Sequence, residues 1–327
     1  MLKKHDRVHL RLASVLATLG VAVVLPMAHA PELSRAEEKT PTPTAVLMAC
    51  HGVVTVQRAD GSPVEGRFGL SLHPGDRVRT GRNGHAEIAL EDGTWLEVGP
   101  GSGMGIKTRS EAKPPTPTAP TDGFEVVQKF IRLRDSEGGS VITGLRGGGA
   151  ALRAISPVQT RVRPDAIRFA WKTAHPGDEL QLTLYDENGI AWSKSVTGTT
   201  SVDYPASAPA LRAGVGYSWT VETTDPLVIP PRRSKAAYFE VLPGKEADTL
   251  REALATIDSN RPNGRSTYHV MRASVFFDHG LLSDAIDETN RALAGDPNNA
   301  DLHVILARLY AKSGRSEDAL REFKNSP

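Results

Sequence analysis

Few residues in this chain have the type and spacing that chemistry demands. Cys50 and His51 are adjacent, and a thiol beside an imidazole is the pairing of a nucleophile with its base. Neighbours on a strand point to opposite faces, so the two do not meet as a dyad. His73-Pro74-Gly75-Asp76 recurs as His175-Pro176-Gly177-Asp178, and a His and an Asp three apart could contribute to a metal site. Pro-Gly is instead the signature of a type II turn, and both copies introduce a strand. Gly99, Gly101, Gly103 and Gly105 alternate as in a phosphate-binding loop, but no Gly-Lys-Ser/Thr ending and no helix follows. The ten histidines are dispersed, with no pair at i, i+4 on an expected helix. No nucleophile elbow or Walker loop is present. The expectation is a protein with no catalytic, cofactor or metal residues, one that is not an enzyme.

Bulk properties agree with a binding role. The 39 basic and 38 acidic side chains leave a formal charge of +1, without the concentrated basic face that nucleic acid requires. Thirty glycines and 23 prolines suit a chain rich in turns, and its 327 residues suit several domains. A single cysteine allows no intramolecular disulfide and no cysteine metal cluster.

The N-terminus reads as an export signal over residues 1–30. Lys3, Lys4, Arg7 and Arg11 precede an apolar run from Leu12 to Leu25, and Ala28-His29-Ala30 supplies the small-x-small cleavage pattern. Pro31 would sit just past the cut, where it restricts the backbone. The expected location is therefore the periplasm or another exported compartment, the alternative being an inner-membrane anchor formed by an uncleaved signal. Residues 31–44 end in a Thr-Pro repeat and read as a disordered linker.

Residues 45–149 read as the first domain, all β. Val46 to Arg58, Asp76 to Thr80, His85 to Leu90, Thr94 to Val98 and Met104 to Thr108 carry strand patterns. Val46, Met48 and Cys50 share a phase with Val54 and Val56, which makes Cys50 a core residue. Asn83-Gly84 suits a type I′ turn and Asp92-Gly93 the next one. Ala86, Ile88, Leu90, Leu96 and Val98 form a dry face, with His85, Glu87 and Glu97 on a wet one. Residues 109–122 form a Pro/Thr-rich flexible loop, and strand signals resume at Phe124 to Leu133 and Ser140 to Arg146. The run GD-R-V-R-T-G, the Asn-Gly turn, A-E-I-x-L and D-G-T-x-L-x-V-G-P resemble the FecR domain family. That resemblance implies a periplasmic β-domain with a binding role and no reaction.

Residues 152–242 hold about seven short strands, the count and spacing of an immunoglobulin-like or fibronectin III-like sandwich. Trp171, Tyr217 and Trp219 are its expected core aromatics, while the phase of Tyr185 and Trp192 leaves them free to face outward.

Residues 245–327 change to a helical period. Ala273 and Ala307, Phe276 and Tyr310, Gly280 and Gly314, and Ala285 and Ala319 each recur at an offset of 34 residues, with Pro297 closing the first unit. At these positions the chain resembles the tetratricopeptide repeat (TPR) family. Helices are expected near 246–259, 265–279, 282–294, 299–313 and 316–325. The resemblance implies a concave groove lined by Thr267, Val270, Ser274, Asp278, Asp301, Val304, Arg308 and Lys312, taking an extended peptide or helix. The Lys and Asn pattern of a carboxylate clamp is absent.

The expected fold is thus multidomain: a FecR-like β-domain, an Ig-like β-sandwich and an all-α repeat. The expected function is that of an exported, non-catalytic envelope scaffold binding an envelope protein or peptide. A FecR-type signal relay and a cell-wall or surface polysaccharide binder are the alternatives. Nucleic acid is not an expected partner, and a membrane is one only if the signal stays uncleaved.

Overall fold

The computed structural model describes residues 42–91, 94–107, 122–135, 152–229, 232–262 and 264–326. The export signal, the linker up to residue 41, the Asp92-Gly93 turn, the Pro/Thr-rich loop up to residue 121 and the strand expected at Ser140 to Arg146 lie outside them.

The first domain is two facing four-stranded sheets. β1 (Ala45–His51), β4 (Ser71–Leu72), β6 (His85–Leu90) and β7 (Trp95–Val98) run in the order β4-β1-β6-β7. β2 (Val54–Gln57), β3 (Pro63–Glu65), β5 (Arg77–Thr80) and β8 (Gly103–Gly105) run as β3-β2-β5-β8. Ala45, Leu47, Val54, Val56, Leu72, Val78, Ala86, Ile88 and Val98 fill the space between. The dry face read for β6 and β7 is correct. The phase fails at β1, whose pairing with β6 slips between Leu47 and Ala49. One extra residue in a ladder reverses the faces beyond it. Cys50 therefore packs with the β core, while Val46 and Met48 belong to the opposite face.

That opposite face is not wet. Val46, Met48 and Ala89 lie in one apolar cluster with the helices, and Glu87 is buried there too. Asn83-Gly84 also departs from expectation, since neither residue has positive φ. The turn is Gly81 to Gly84, closed by Gly84 N donating to Gly81 O (2.9 Å). Gly84 serves close approach: a Cβ there would lie 2.4 Å from the carbonyl oxygen of Val53, in the turn that carries the chain from β1 to β2.

Residues 124–133 do not form the expected strand. They belong to helix α1 (Asp122–Ile131) and the turn after it. Phe124, Val127, Phe130 and Ile131 recur at helical spacing and share one face.

The second domain packs β9 (Leu152–Ser156), β11 (Arg168–Thr173) and β14 (Ser201–Asp203), in the order β14-β11-β9, against a five-stranded sheet. The latter contains β10 (Thr160–Val162), β12 (Glu179–Asp186), β13 (Gly189–Thr197), β15 (Gly216–Thr223) and β16 (Ala237–Val241), in the order β10-β16-β15-β12-β13. Phe169, Trp171, Tyr217, Trp219 and Phe239 are its buried aromatics, and Trp192 stacks on Phe169 at 6.0 Å. Trp219 Nε1 donates to the Pro157 carbonyl (2.8 Å), which satisfies the indole inside the core.

Five helices follow: α2 (Gly244–Ser259), α3 (Arg265–Asp278), α4 (Leu282–Gly295), α5 (Ala300–Lys312) and α6 (Ser316–Asn325). The marks at 34-residue spacing sit as a helical repeat needs them. Ala273, Ala285, Ala307 and Ala319 are fully buried where helices touch, and Gly280 and Gly314 take φ of 75° and 72° at the turns. Residues 41–327 form a single compact unit, with no helix among the described residues long and apolar enough to cross a membrane.

Candidate functional site

The six polar residues expected in a repeat groove are Thr267, Ser274, Asp278, Asp301, Arg308 and Lys312, and they do not share an open surface. Thr267 and Ser274 are fully buried on α3, where the Ser274 hydroxyl donates to the Met271 carbonyl (2.7 Å). Val270 is buried beside them. What covers this face is the chain itself. Helix α1 packs against α3, with Phe130 edge-on to Phe277 at 5.9 Å. Lys129 Nζ donates to Asp278 Oδ1 (2.5 Å), and Arg134 Nη1 lies 3.7 Å from Asp301 Oδ2. Arg134 also donates to the Phe68 carbonyl (2.9 Å), tying the end of α1 to the first domain. The inner face of the repeat thus holds an amphipathic helix in cis, by apolar anchors with cations at its margin.

The electrostatics of this contact follow burial. Burial raises the pKa of the Asp301 carboxyl, against the pull of Arg134 and Arg67. Asp135, hydrogen-bonded by the Arg134 guanidinium, is held below the usual range. Arg308 turns toward α6, with its guanidinium 5.0 Å from the Phe323 ring. Lys312 reaches a different cleft, between the second domain and the repeat.

That cleft is open, with a volume of about 860 Å³. Its base is the outer face of the five-stranded sheet. Tyr185, Ser218 and Tyr238 are directly paired across β12, β15 and β16, so their side chains stand in one row. Tyr238 is 62% exposed. Gly216 lies next along β15, opposite Glu240. The far wall is the α3–α4 turn, held to the sandwich by several bonds. Arg161 N donates to the Gly280 carbonyl (3.0 Å), and the Thr160 hydroxyl accepts from Leu282 N (2.8 Å). Arg161 reaches Glu246 (2.6 Å), and Arg163 reaches Asp284 (3.1 Å). Burial raises the Asp284 pKa, with Arg163 opposing. Sequence reasoning left Tyr185 open and passed over Tyr238. The strict alternation of Tyr238 with buried Phe239 in β16 was the available signal.

The residues weighed for chemistry take structural roles. Burial, with Asp296 and Asp301 adding to it, pushes the Cys50 thiol up to about 12, and His51 faces solvent on the opposite side. Asp76 is buried and accepts from Arg58 (2.6 Å) and from the backbone of His73 and Ala59 (2.9 and 3.2 Å). Gly75 takes φ 92°, as a type II turn needs. In the second copy Gly177 does not take positive φ, so the turn from His175 to Asp178 is not type II, and Asp178 pairs with Arg232. Gly99 to Ser102 form a bend fastened to the Thr80 hydroxyl, which donates to Gly99 O (2.6 Å) and accepts from Ser102 N (3.0 Å), and Gly103 to Gly105 are strand β8. His85 lies 3.7 Å from Glu87 and 3.5 Å from Glu97, yet no set of three such ligands among the described residues is arranged to hold a metal ion.

With this geometry in view, comparison with known proteins gives one family match. Residues 276–327 match the tetratricopeptide repeat family. Repeats of this family generally mediate protein–protein contact. The chain as a whole is a modular protein, with β-sandwich architecture followed by a helical repeat. No curated protein matches it. Among solved structures, a cell surface anchoring domain is 29% identical over 20% of this chain and 87% of its own, with a TM-score of 0.20. The fibronectin(III)-like modules of Clostridium thermocellum CbhA are 11% identical over 62% of this chain and 80% of theirs, with a TM-score of 0.19. PorZ, a surface component of the type-IX secretion system of Porphyromonas gingivalis, is 16% identical over 55% of this chain and 26% of its own, with a TM-score of 0.20.

Proposed function

We propose that this is an exported, non-catalytic envelope protein that holds other envelope proteins through its helical repeat and a FecR-like β-domain. The observation that carries the reading is the helix held in cis: the repeat grips α1 through Phe130, Lys129 and Arg134. An array that captures a helix along its inner face leaves its outer helices and the β surface for partners in trans. The export signal read at residues 1–30 and the FecR-like strand pattern supply the location.

The test is photo-crosslinking in intact cells of the source organism, with the reactive group at Lys324 on α6, Arg79 on β5 or Leu227 in the β15–β16 loop. All three positions are exposed. Capture of the same envelope proteins from α6 in repeated experiments supports the scaffold. Capture of cytoplasmic proteins alone, together with an uncut N-terminus by mass spectrometry, overturns the exported reading.

A further inference from the structure

We infer that the cleft over the five-stranded sheet binds an uncharged polysaccharide chain, seated along β15 between Tyr185 and Tyr238. The inference goes beyond the protein-binding reading and uses a different surface.

The sheet is carved there in a way that packing does not require. The middle strand presents Gly216 and Ser218, while the strands on either side present tyrosines, so the small residues make a trough with aromatic walls. Gly216 has an ordinary strand φ, and a Cβ built on it would meet no atom closer than 4.0 Å. Its missing side chain keeps the trough open and relieves no clash. Tyr185 and Tyr238 stand two strands apart, about 10 Å at the usual strand spacing, which makes the trough wide enough for one hexose ring to lie between them. Gln159, at φ 48°, lines the same cleft, and its backbone N–H donates to the Tyr238 carbonyl (2.8 Å). Among the described residues it is the non-glycine held in the left-handed region, a cost on the order of 1 kcal/mol that collects at ligand sites.

The carboxylates in the cleft argue against a cationic ligand, while Lys312, which makes no ion pair among the described residues, offers its amino group to a sugar hydroxyl. Each carboxylate already has a cation. Glu187 and Asp186 lie 2.9 and 3.7 Å from Arg212, Glu240 lies 3.4 Å from Arg161, and Asp278 holds Lys129. Paired carboxylates still accept hydrogen bonds from hydroxyls while offering little to a point charge. The Tyr238 and Ser218 hydroxyls make no hydrogen bond among the described residues, and the Tyr185 hydroxyl is steadied by Arg233 (3.2 Å). Aromatic faces for the C–H side of a sugar and spare hydroxyls for its rim suit a polyhydroxylated, uncharged chain.

The test is calorimetric titration of the full chain with cello-, chito-, laminari- and maltohexaose. The wild-type protein, Tyr238→Ala and Gly216→Leu are compared at low and high salt. At least one hexasaccharide is expected to bind with an affinity indifferent to salt. Tyr238→Ala should weaken it about tenfold, by loss of a stacking face, and Gly216→Leu should abolish it by filling the trough. Both positions are on the sheet exterior, so an unchanged melting temperature verifies that the variants are folded. Binding of none of the four sugars at millimolar concentration overturns the assignment. So does sugar binding that neither substitution alters, or a preference for oligolysine that salt removes.

Discussion

Single residues here are fixed by what approaches them. Gly84→Ala would drive a Cβ to 2.4 Å from the Val53 carbonyl, a backbone atom that cannot swing aside. Its expected cost is about 1–3 kcal/mol, read as a fall in the urea midpoint. An Asn-Gly pair looks the same in sequence whether its glycine supplies positive φ or merely makes room, which is why the turn type was not legible. Cys50 gives a second check. With its thiol at about 12, it should resist a thiol reagent at pH 8 in the native protein and react at once in denaturant. Rapid labelling of the native chain would contradict the burial. Asp301 tests the electrostatics. Its folded pKa lies above the free value, so the folded state bears a penalty while the carboxyl is ionised, and that penalty fades as pH falls through the folded pKa. Asp301→Asn should therefore be at least as stable as wild type at pH 7, with the difference shrinking in acid. Denaturant curves at several pH values decide it; a variant clearly weaker at pH 7 contradicts the sign.

At the scale of elements, helix α1 is the instructive case. Phe124, Val126, Phe130 and their neighbours offer a short apolar run that fits both periods, and short runs do not separate strand from helix. The decisive contact, with α3, lies far along the chain. The repeat helices were legible because their marks recur: Gly280 and Gly314 end helices, and four alanines let helices touch. The groove residues were not legible: Thr267 and Ser274 are buried, Arg308 turns toward α6 and Lys312 lines another cleft. Phe130→Ala, at a fully buried ring, should cost about 3–5 kcal/mol. Lys129→Ala, at a pair whose lysine is largely exposed, should change stability by less than about 1 kcal/mol. Comparable losses from the two substitutions would show that charge rather than apolar contact seats the helix.

Across the whole molecule, the sequence divides into modules more readily than the structure does. Val46, Met48 and Phe68 of the first domain, Phe130 of α1 and Leu306 of the repeat share one apolar cluster. The order of β-domain, sandwich and helices was readable from changing periodicity. The fusion was not, because the outer faces of β1 and β6 show their second buried side only once α3 lies over them. A chain cut after Pro243 should leave that face bare. It is expected to bind a hydrophobic dye strongly or to aggregate, whereas the intact chain stays soluble. A truncated chain that is monomeric and dye-silent would mean that the first domain needs no cover. Thr160→Val, which removes the hydroxyl joining the sandwich to the α3–α4 turn, should lower stability by about 1–3 kcal/mol.

The separation between α1 and its seat also sets a timetable. Lys129 and Asp278 are 149 positions apart, and a ribosome adds residues in order. At ordinary elongation rates α1 waits on the order of ten seconds for α3 to be made, its apolar stripe and the back of β1 meanwhile uncovered. The nascent chain therefore carries a sticky half-product until α3 has been made. Its yield in a cell should depend on holdase chaperones that shield that stripe until the last helices arrive.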